Sequence, residues 1–254
     1  MNMSNKIALI TGASRGLGKS MALHLAAQGV DVVVTYRSQQ DEANDVVKQI
    51  EQAGAQGAAL PLDVSQAGSF VRFRAALEHV LGQKWGRSNV DFLVNNAGIG
   101  INAPFAETSE EQFDQLMNIQ LKGPFFLTQA LLPIIIDGGR IINISTGLSR
   151  FVLPGFATYA AMKGAMEVLT RYQAKELGSR GISVNILAPG AIETDFGGGV
   201  VRDNKQVNNF IASQTALGRV GLPEDIGKAV TMLLSEEAGW INGQRIEASG
   251  GMFL

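Results

Sequence analysis

The sequence predicts an α/β protein built as a doubly wound parallel sheet of about seven strands with helices on both faces. Three observations predict it. Short β-branched runs alternate with helical patterns along all 254 residues. Several of these runs are apolar without alternation, as strands buried on both faces are. The first run also passes directly into a glycine-rich loop and then a helix, as the opening βα unit of such a sheet does.

The elements follow in order. "KIALIT" is a strand, followed by the glycine loop and a helix through Gln28. "DVVVTY" is the second strand, with a charged helix from Asp41 to Gln52 after it. "AAL" before Pro61 is a short third strand, and a helix spans Ser65 to Leu81. "VDFLVNN" is the fourth, followed by helical stretches over 108–120 and 124–136. "RIINIS" is the fifth, with a long helix from Ala157 to Gly178. "ISVNILA" is the sixth; a glycine-rich segment and helices at 203–213 and 224–235 lead to a last strand, "QRIEA". Right-handed crossovers between such strands wind the sheet in both directions. No linker or repeat divides the chain, so residues 1–254 read as one domain.

Composition narrows the function. A hydrophobic fraction of 46% with 17% charged residues suits a large core. A formal net charge of -2 supplies no basic field for nucleic acid, which is not expected as a partner. The absence of cysteine removes disulfide and thiolate chemistry and is compatible with a reducing compartment. His24 and His79 lack ligand spacing, so no metal site is expected. The start "MNMSNKIALITG" does not read as a secretory signal. The apolar stretch "PFFLTQALLPIII" is interrupted by polar residues and Pro133, so no membrane span is expected. The expected location is cytoplasmic.

"TGASRGLG", residues 11–18, lies between the first strand and the first helix. Gly12, Gly16 and Gly18 permit a tight turn and close approach of backbone to a pyrophosphate, with Ser14, Arg15 and Leu17 between them. The helix N-terminus adds free N–H groups and a partial positive charge. At the end of the second strand an NAD site usually shows a carboxylate for the ribose 2′-OH. Here the residues are Thr35, Tyr36 and Arg37, and Asp31 is at the other end of the strand. Arg15 and Arg37 suit a 2′-phosphate, so NADP is the expected cofactor; otherwise they are two solvated surface arginines.

Tyr159 and Lys163 are four residues apart and share a helix face. An ammonium about 5 Å away, at an effective dielectric near 20, favours the phenolate by roughly 3 kcal/mol or about two pK units. That brings a tyrosine toward general acid–base work near neutral pH. "NISTG" ends the fifth strand at the carboxyl edge, where ligands bind, and delivers Ser145 and Thr146. Side chains alternate along a strand, so the two hydroxyls are expected to face opposite ways. "NNAG", residues 95–98, ends the fourth strand at the same edge.

Together Gly12, Gly16 and Gly18, the Asn95-Asn96-Ala97-Gly98 run, a strand-end hydroxyl and Tyr159 with Lys163 resemble the short-chain dehydrogenase/reductase family, over nearly the whole chain. The resemblance implies a Rossmann-type fold, a nicotinamide cofactor and an Asn-Ser-Tyr-Lys set, here Asn118, a hydroxyl residue, Tyr159 and Lys163. The family serine stands thirteen residues before the tyrosine; Thr146 fits that count and is favoured over Ser145. The resemblance further places Asp63 and Val64 beside the adenine, with Asn95, Ala97 and Gly98 also on the cofactor. It sets Pro189, Gly190 and Ile192 along the nicotinamide and Thr194 at its carboxamide. It also implies that the helices after Asn118 and after Tyr159 pair between subunits, as a homotetramer.

The expected function is an NADPH-dependent oxidoreductase interconverting a small-molecule carbonyl and a secondary alcohol, with Tyr159 as general acid/base. A 3-oxoacyl-carrier-protein reductase is the nearest enzyme rival, and a non-catalytic NADP-binding regulator on the same fold is the alternative. Leu148, Phe151, Val152, Leu153 and Phe156 suggest a substrate with apolar parts. "DFGGGVVRDNKQ" suits a mobile lid. Arg150 and Arg202 either meet an anionic substrate or are solvated.

Overall fold

The computed structural model describes residues 3–254 and places four aliphatic residues, Ile7–Ile10 (β1), wholly inside the molecule. The elements that follow are α1 (Gly16–Ala26), β2 (Asp31–Tyr36), α2 (Gln40–Gln52), β3 (Gly57–Pro61), α3 (Phe70–Trp85) and β4 (Val90–Asn95). Then come α4 (Glu110–Met117), α5 (Gly123–Leu131), β5 (Ile135–Ile144), α6 (Ala157–Leu177) and β6 (Ser183–Pro189). The chain closes with α7 (Val200–Asp203), α8 (Lys205–Ser213), α9 (Pro223–Leu234) and β7 (Arg245–Ala248). Every strand pairing is parallel, in the order β3-β2-β1-β4-β5-β6-β7. The order reverses between β1 and β4, which opens a crevice at their carboxyl ends.

Two apolar layers sandwich the sheet. On one face Met21 and Leu25 of α1, Val46 of α2 and Ile226 and Val230 of α9 cover Ala8, Ile10, Val32 and Val34. On the other Phe73 and Leu77 of α3 and Leu127 and Leu131 of α5 cover Leu9, Val33, Leu93 and Ile141. Each fully buried aliphatic side chain contributes about 1.5–3 kcal/mol. Among the described residues no helix is long and apolar enough to cross a membrane.

The structure departs from the expected boundaries where local chemistry intervenes. The helix expected at 108 starts at Glu110, because Ser109 forms a capping box with Gln112. It does not end at 120: a π-helical turn, Asn118–Lys122, joins α4 to α5. The helix expected over 124–136 stops at Leu131, followed by a single turn over Leu132–Ile134. Pro133 has no N–H to continue it, and the β-branched run behind it begins β5 at Ile135, paired with Val90. The helix expected at 203–213 is split at Asn204, whose side chain caps α8.

Candidate active site

The loop after β1 is suspended from both neighbouring strands. The Gly12 N–H donates to Thr35 Oγ1 at 3.2 Å, and the Ala13 N–H to the Thr35 carbonyl at 2.9 Å. From β4, the N–H groups of Asn96 and Ala97 donate to Thr11 Oγ1 at 3.0 and 2.9 Å. The Asn96 amide in turn donates to the carbonyls of Thr11 and Gly12 at 2.9 and 3.1 Å. Gly12 has φ +64°, and a Cβ there would lie 2.9 Å from Ala97 Cα. A Cβ on Gly18 would lie 2.5 Å from the Gly12 carbonyl oxygen and 2.6 Å from Asn96 Nδ2. Arg15, at the N-cap of α1, makes no side-chain cap, so the first-turn N–H groups are left for an anion. Ser14 and Leu17 are half-buried beside it.

Around this loop the expected residues are distributed unevenly. Arg15 and Arg37 are both exposed at neighbouring strand ends, with Arg15 Nη1 at 3.7 Å from Asp195. Asp31 is at the far end of β2, accepting from the Gln56 N–H and the Trp85 indole. Asp63 accepts from the Ser65 N–H and hydroxyl and so shapes its own turn; Val64 is buried. The Asn95 side chain points into the interior, donating to Thr128 Oγ1 and Asn143 Oδ1, and the side chain that ties the loop to β4 is that of Asn96. Gly98 is packed against Gln120, whose amide grips the Ile99 carbonyl. Pro189 ends β6, and a Cβ on Gly190 would lie 2.9 Å from Ser249 Cα. Ile192 bridges to Gly221, and Thr194 is buried with its methyl 3.9 Å from where Gly16 would carry a Cβ.

The second constellation stands at the ends of β5 and α6. Thr146, Tyr159 and Lys163 are all buried. The Thr146 side chain is close enough to the Tyr159 phenol to favour its ionised form. Lys163 Nζ donates to the Ile144 carbonyl at 2.7 Å and lies 5.9 Å from the Tyr159 ring centroid. Ser145 faces away and donates to Glu167 Oε1 at 2.7 Å. Asn118 is half-buried where α4 passes into the π-turn, a distortion frequent at functional sites.

The family described as enoyl-(acyl carrier protein) reductase matches residues 12–253. The tetrahydroxynaphthalene reductase PfmaG of Pestalotiopsis fici is 35% identical over 260 residues, covering 98% of this chain and 91% of that protein. The angucycline C-6 ketoreductase LanV with bound NADP superposes at TM-score 0.94 with 37% identity, covering 99% of this chain and 97% of that one. LugOII, a promiscuous reductase catalysing keto-reduction at C1 during lugdunomycin biosynthesis, gives the same score and identity over 99% and 98%. The chain belongs to the short-chain dehydrogenase/reductase family.

In this dehydrogenase/reductase the Tyr159–Lys163 pair differs electrostatically from the expectation. Burial pushes the Tyr159 phenol well above its ordinary value, and the Thr146 side chain opposes that only in part. Burial pushes Lys163 down to about 7. The protein alone therefore does not make the phenol acidic. The lysine turns its amine to a carbonyl instead of to the phenol, and both groups resist charge in a dry site.

Beside the pair is a cavity of about 580 Å³ lined by Asn102, Pro104, Phe105, Leu148, Val152, Leu153 and Phe156, among others. Phe196 from the expected lid packs at a 54° tilt with its ring centroid 5.8 Å from that of Tyr159, and Phe156 approaches edge-on at 6.4 Å. The three lid glycines, Gly197 to Gly199, all have positive φ. Neither nearby arginine is offered to a substrate: Arg150 pairs with Glu247 and binds the Met252 and Phe253 carbonyls, and Arg202 pairs with Asp195 and Asp203. Sequence reasoning missed Thr11, Thr35 and Asn96, which fix the loop, as well as Phe196 and Glu167. Thr11, Asn96 and Phe196 carried a signal, since they lie inside the marked "TGASRGLG", "NNAG" and lid segments.

Proposed function

We propose that the protein is an NADPH-dependent ketoreductase for bulky, largely apolar carbonyl compounds. The observation that carries this is the buried hydroxyl pair, Thr146 with Tyr159, beside Lys163 and next to an apolar cavity. The loop fits a dinucleotide: Gly12 and Gly18 leave a cradle that a Cβ would fill, and the end of α1 is uncapped. Gly12, Ser14, Gly16 and the first turn of α1 would hold the pyrophosphate, and Arg15 and Arg37 a 2′-phosphate. When bound, the nicotinamide supplies the hydride.

The protein's own groups do the rest. Thr146 holds the substrate oxygen, and Tyr159 gives it a proton. Lys163, with its pKa near 7, is poised to carry a proton toward the phenol, with Asn118 at the π-turn ordering the path. Phe196 covers Tyr159 and excludes water. Relatives named for tetrahydroxynaphthalene and angucycline reduction support fused-ring ketones as the substrate class. An acidic carrier protein is less well served, because Arg150 and Arg202 are already paired with carboxylates. We further propose a cytosolic homotetramer.

The test is NADPH oxidation against a panel of fused-ring ketones, simple ketones and 3-oxoacyl thioesters. Tyr159→Phe should lower kcat by at least about 100-fold. NADPH affinity, read by nucleotide fluorescence, should stay within about two-fold, since a phenol-to-phenyl change leaves the pyrophosphate cradle intact. Full turnover in Tyr159→Phe would refute the mechanism.

A further inference from the structure

The functional hydroxyl at Thr146 sits on a short connection that must be held from behind. Directly after β5 the chain turns through Gly147–Ser149, and Thr146 Oγ1 accepts only a long 3.3 Å bond from the Leu148 N–H within that turn. Glu167 lies two turns beyond Tyr159 on α6, with its side chain only 15% exposed. Its Oε1 accepts three bonds: from Ser145 Oγ at 2.7 Å, from Ser149 Oγ at 2.5 Å and from Arg245 Nε at 2.8 Å. Those residues grip Thr146 in turn. Ser149 Oγ is 2.9 Å from the Thr146 carbonyl, and Arg245 Nη2 donates to the same oxygen at 3.3 Å. Arg245 is fixed on its other side by Glu247, which also pairs with Arg150.

We infer that Glu167, acting with Arg245, is a positioning residue for the reaction: it clamps Ser145 and Ser149, on either side of Thr146 in the chain, so that the Thr146 hydroxyl is held beside the Tyr159 phenol. The inference rests on the proposed roles of Thr146 and Tyr159. The helix that carries Tyr159 and Lys163 carries the clamp as well, so acid and hydroxyl are set on one rigid frame. Lys163 holds the Ile144 carbonyl, Glu167 holds Ser145 and Ser149, and the carbonyl of Thr146 accepts from Arg245 Nη2. A carboxylate suits the place because one oxygen must accept three donors, one of them cationic.

Glu167→Ala should lower kcat about 10- to 100-fold while KM and NADPH affinity change less than about two-fold, as expected for a misplaced catalytic group. Glu167→Gln, which keeps an acceptor oxygen, should recover most of the loss. The double variant Glu167→Ala/Thr146→Val should be no slower than Thr146→Val alone, because both changes remove one contact.

A second readout needs neither cofactor nor turnover. With 13Cζ-labelled tyrosine in the cofactor-free protein, and the Tyr159 signal assigned by Tyr159→Phe, Glu167→Ala and Thr146→Val should shift that signal in the same direction. Wild-type kcat in Glu167→Ala, additive losses in the double variant or an unmoved Tyr159 signal would each overturn the inference. If Glu167→Ala does not fold, Ser149→Ala carries the same kinetic and spectroscopic criteria. Failure of the Tyr159 mechanism shows separately, as turnover persisting in Tyr159→Phe.

Discussion

At the scale of single residues, protonation of the buried amine is a cost to the fold. Lys163 has its folded pKa pushed from 10.5 down to about 7 by burial. Below about 7 it is protonated both folded and unfolded, and burying the charge counts fully against the native state. Between about 7 and 10.5 the unfolded chain binds the extra proton, so stability rises with pH. Tyr159 acts in the opposite sense above 10.0, where the unfolded phenol ionises and the folded one does not, so stability falls again. The cofactor-free protein should therefore show a Tm that climbs from pH 7 toward pH 10, and Lys163→Met should flatten that climb. An identical slope in both would exclude Lys163 as its source. The two strand-end hydroxyls separate at the same scale. Thr146→Val removes the hydroxyl proposed to hold the substrate oxygen beside Tyr159 and should cost at least about ten-fold in kcat. Ser145→Ala removes only one of three donors from Glu167 and should cost less. Steady-state kinetics that rank them the other way would move the role to Ser145.

At the scale of elements, the βα loop depends on atoms that approach more closely than any side chain permits. In Gly18→Ala the new Cβ would meet the Gly12 carbonyl, Asn96 Nδ2 and Ala13 Cα at 2.5, 2.6 and 2.8 Å. Two of these are backbone atoms, and the third is the amide that ties the loop to β4. Relief requires the loop to part from Asn96, so Gly18→Ala should lose about 1–3 kcal/mol of stability and weaken NADPH binding more than it lowers kcat. Denaturant unfolding and nucleotide titration read the two effects separately, and an unchanged pair of values would contradict this packing. The glycines were legible because a strand, a TGxxxGxG spacing and a helix stand in consecutive sequence. The roles of Thr11, Thr35 and Asn96 were not, even where the residue lies in a marked motif, because each acts across the sheet: Thr11 receives the Asn96 N–H from 85 residues away. Glu167 was hidden in the same way, since its partner Arg245 is 78 residues distant. The helix-to-strand change at Ile135 was misjudged because "LLPIII" is apolar throughout, and periodicity does not separate a buried helix from a buried strand.

At the scale of the whole molecule, the sheet and its covering helices were readable from alternating elements, but surfaces were not, since apolar residues on a helix look alike whether they face the core or a partner. The structure separates them. On α5, Leu127 and Leu131 are fully buried while Phe125 and Phe126 each remain 40% exposed. On α6, Met162 and Met166 are buried, whereas Val168 and Tyr172 are 46% and 64% exposed. A second apolar feature is elsewhere: β7 is the last strand of the sheet, and Trp240 just before it is fully exposed. In the proposed tetramer these two patches would serve as two isologous interfaces, a pair that closes as a D2 assembly. Each aromatic side chain removed from water contributes about 1.5–3 kcal/mol, so the α5 and α6 surfaces would supply a substantial driving force for the proposed assembly. Light scattering after gel filtration should give a mass four times the 27.0 kDa chain. Tyr172→Glu, which buries an unpaired carboxylate in one patch, should reduce the particle to a dimer held by the other, while Trp240→Glu should leave the complementary dimer. A wild-type monomer at micromolar concentration would show that neither surface is an interface, and a Tyr172→Glu tetramer would show that the α6 flank is not one of the two.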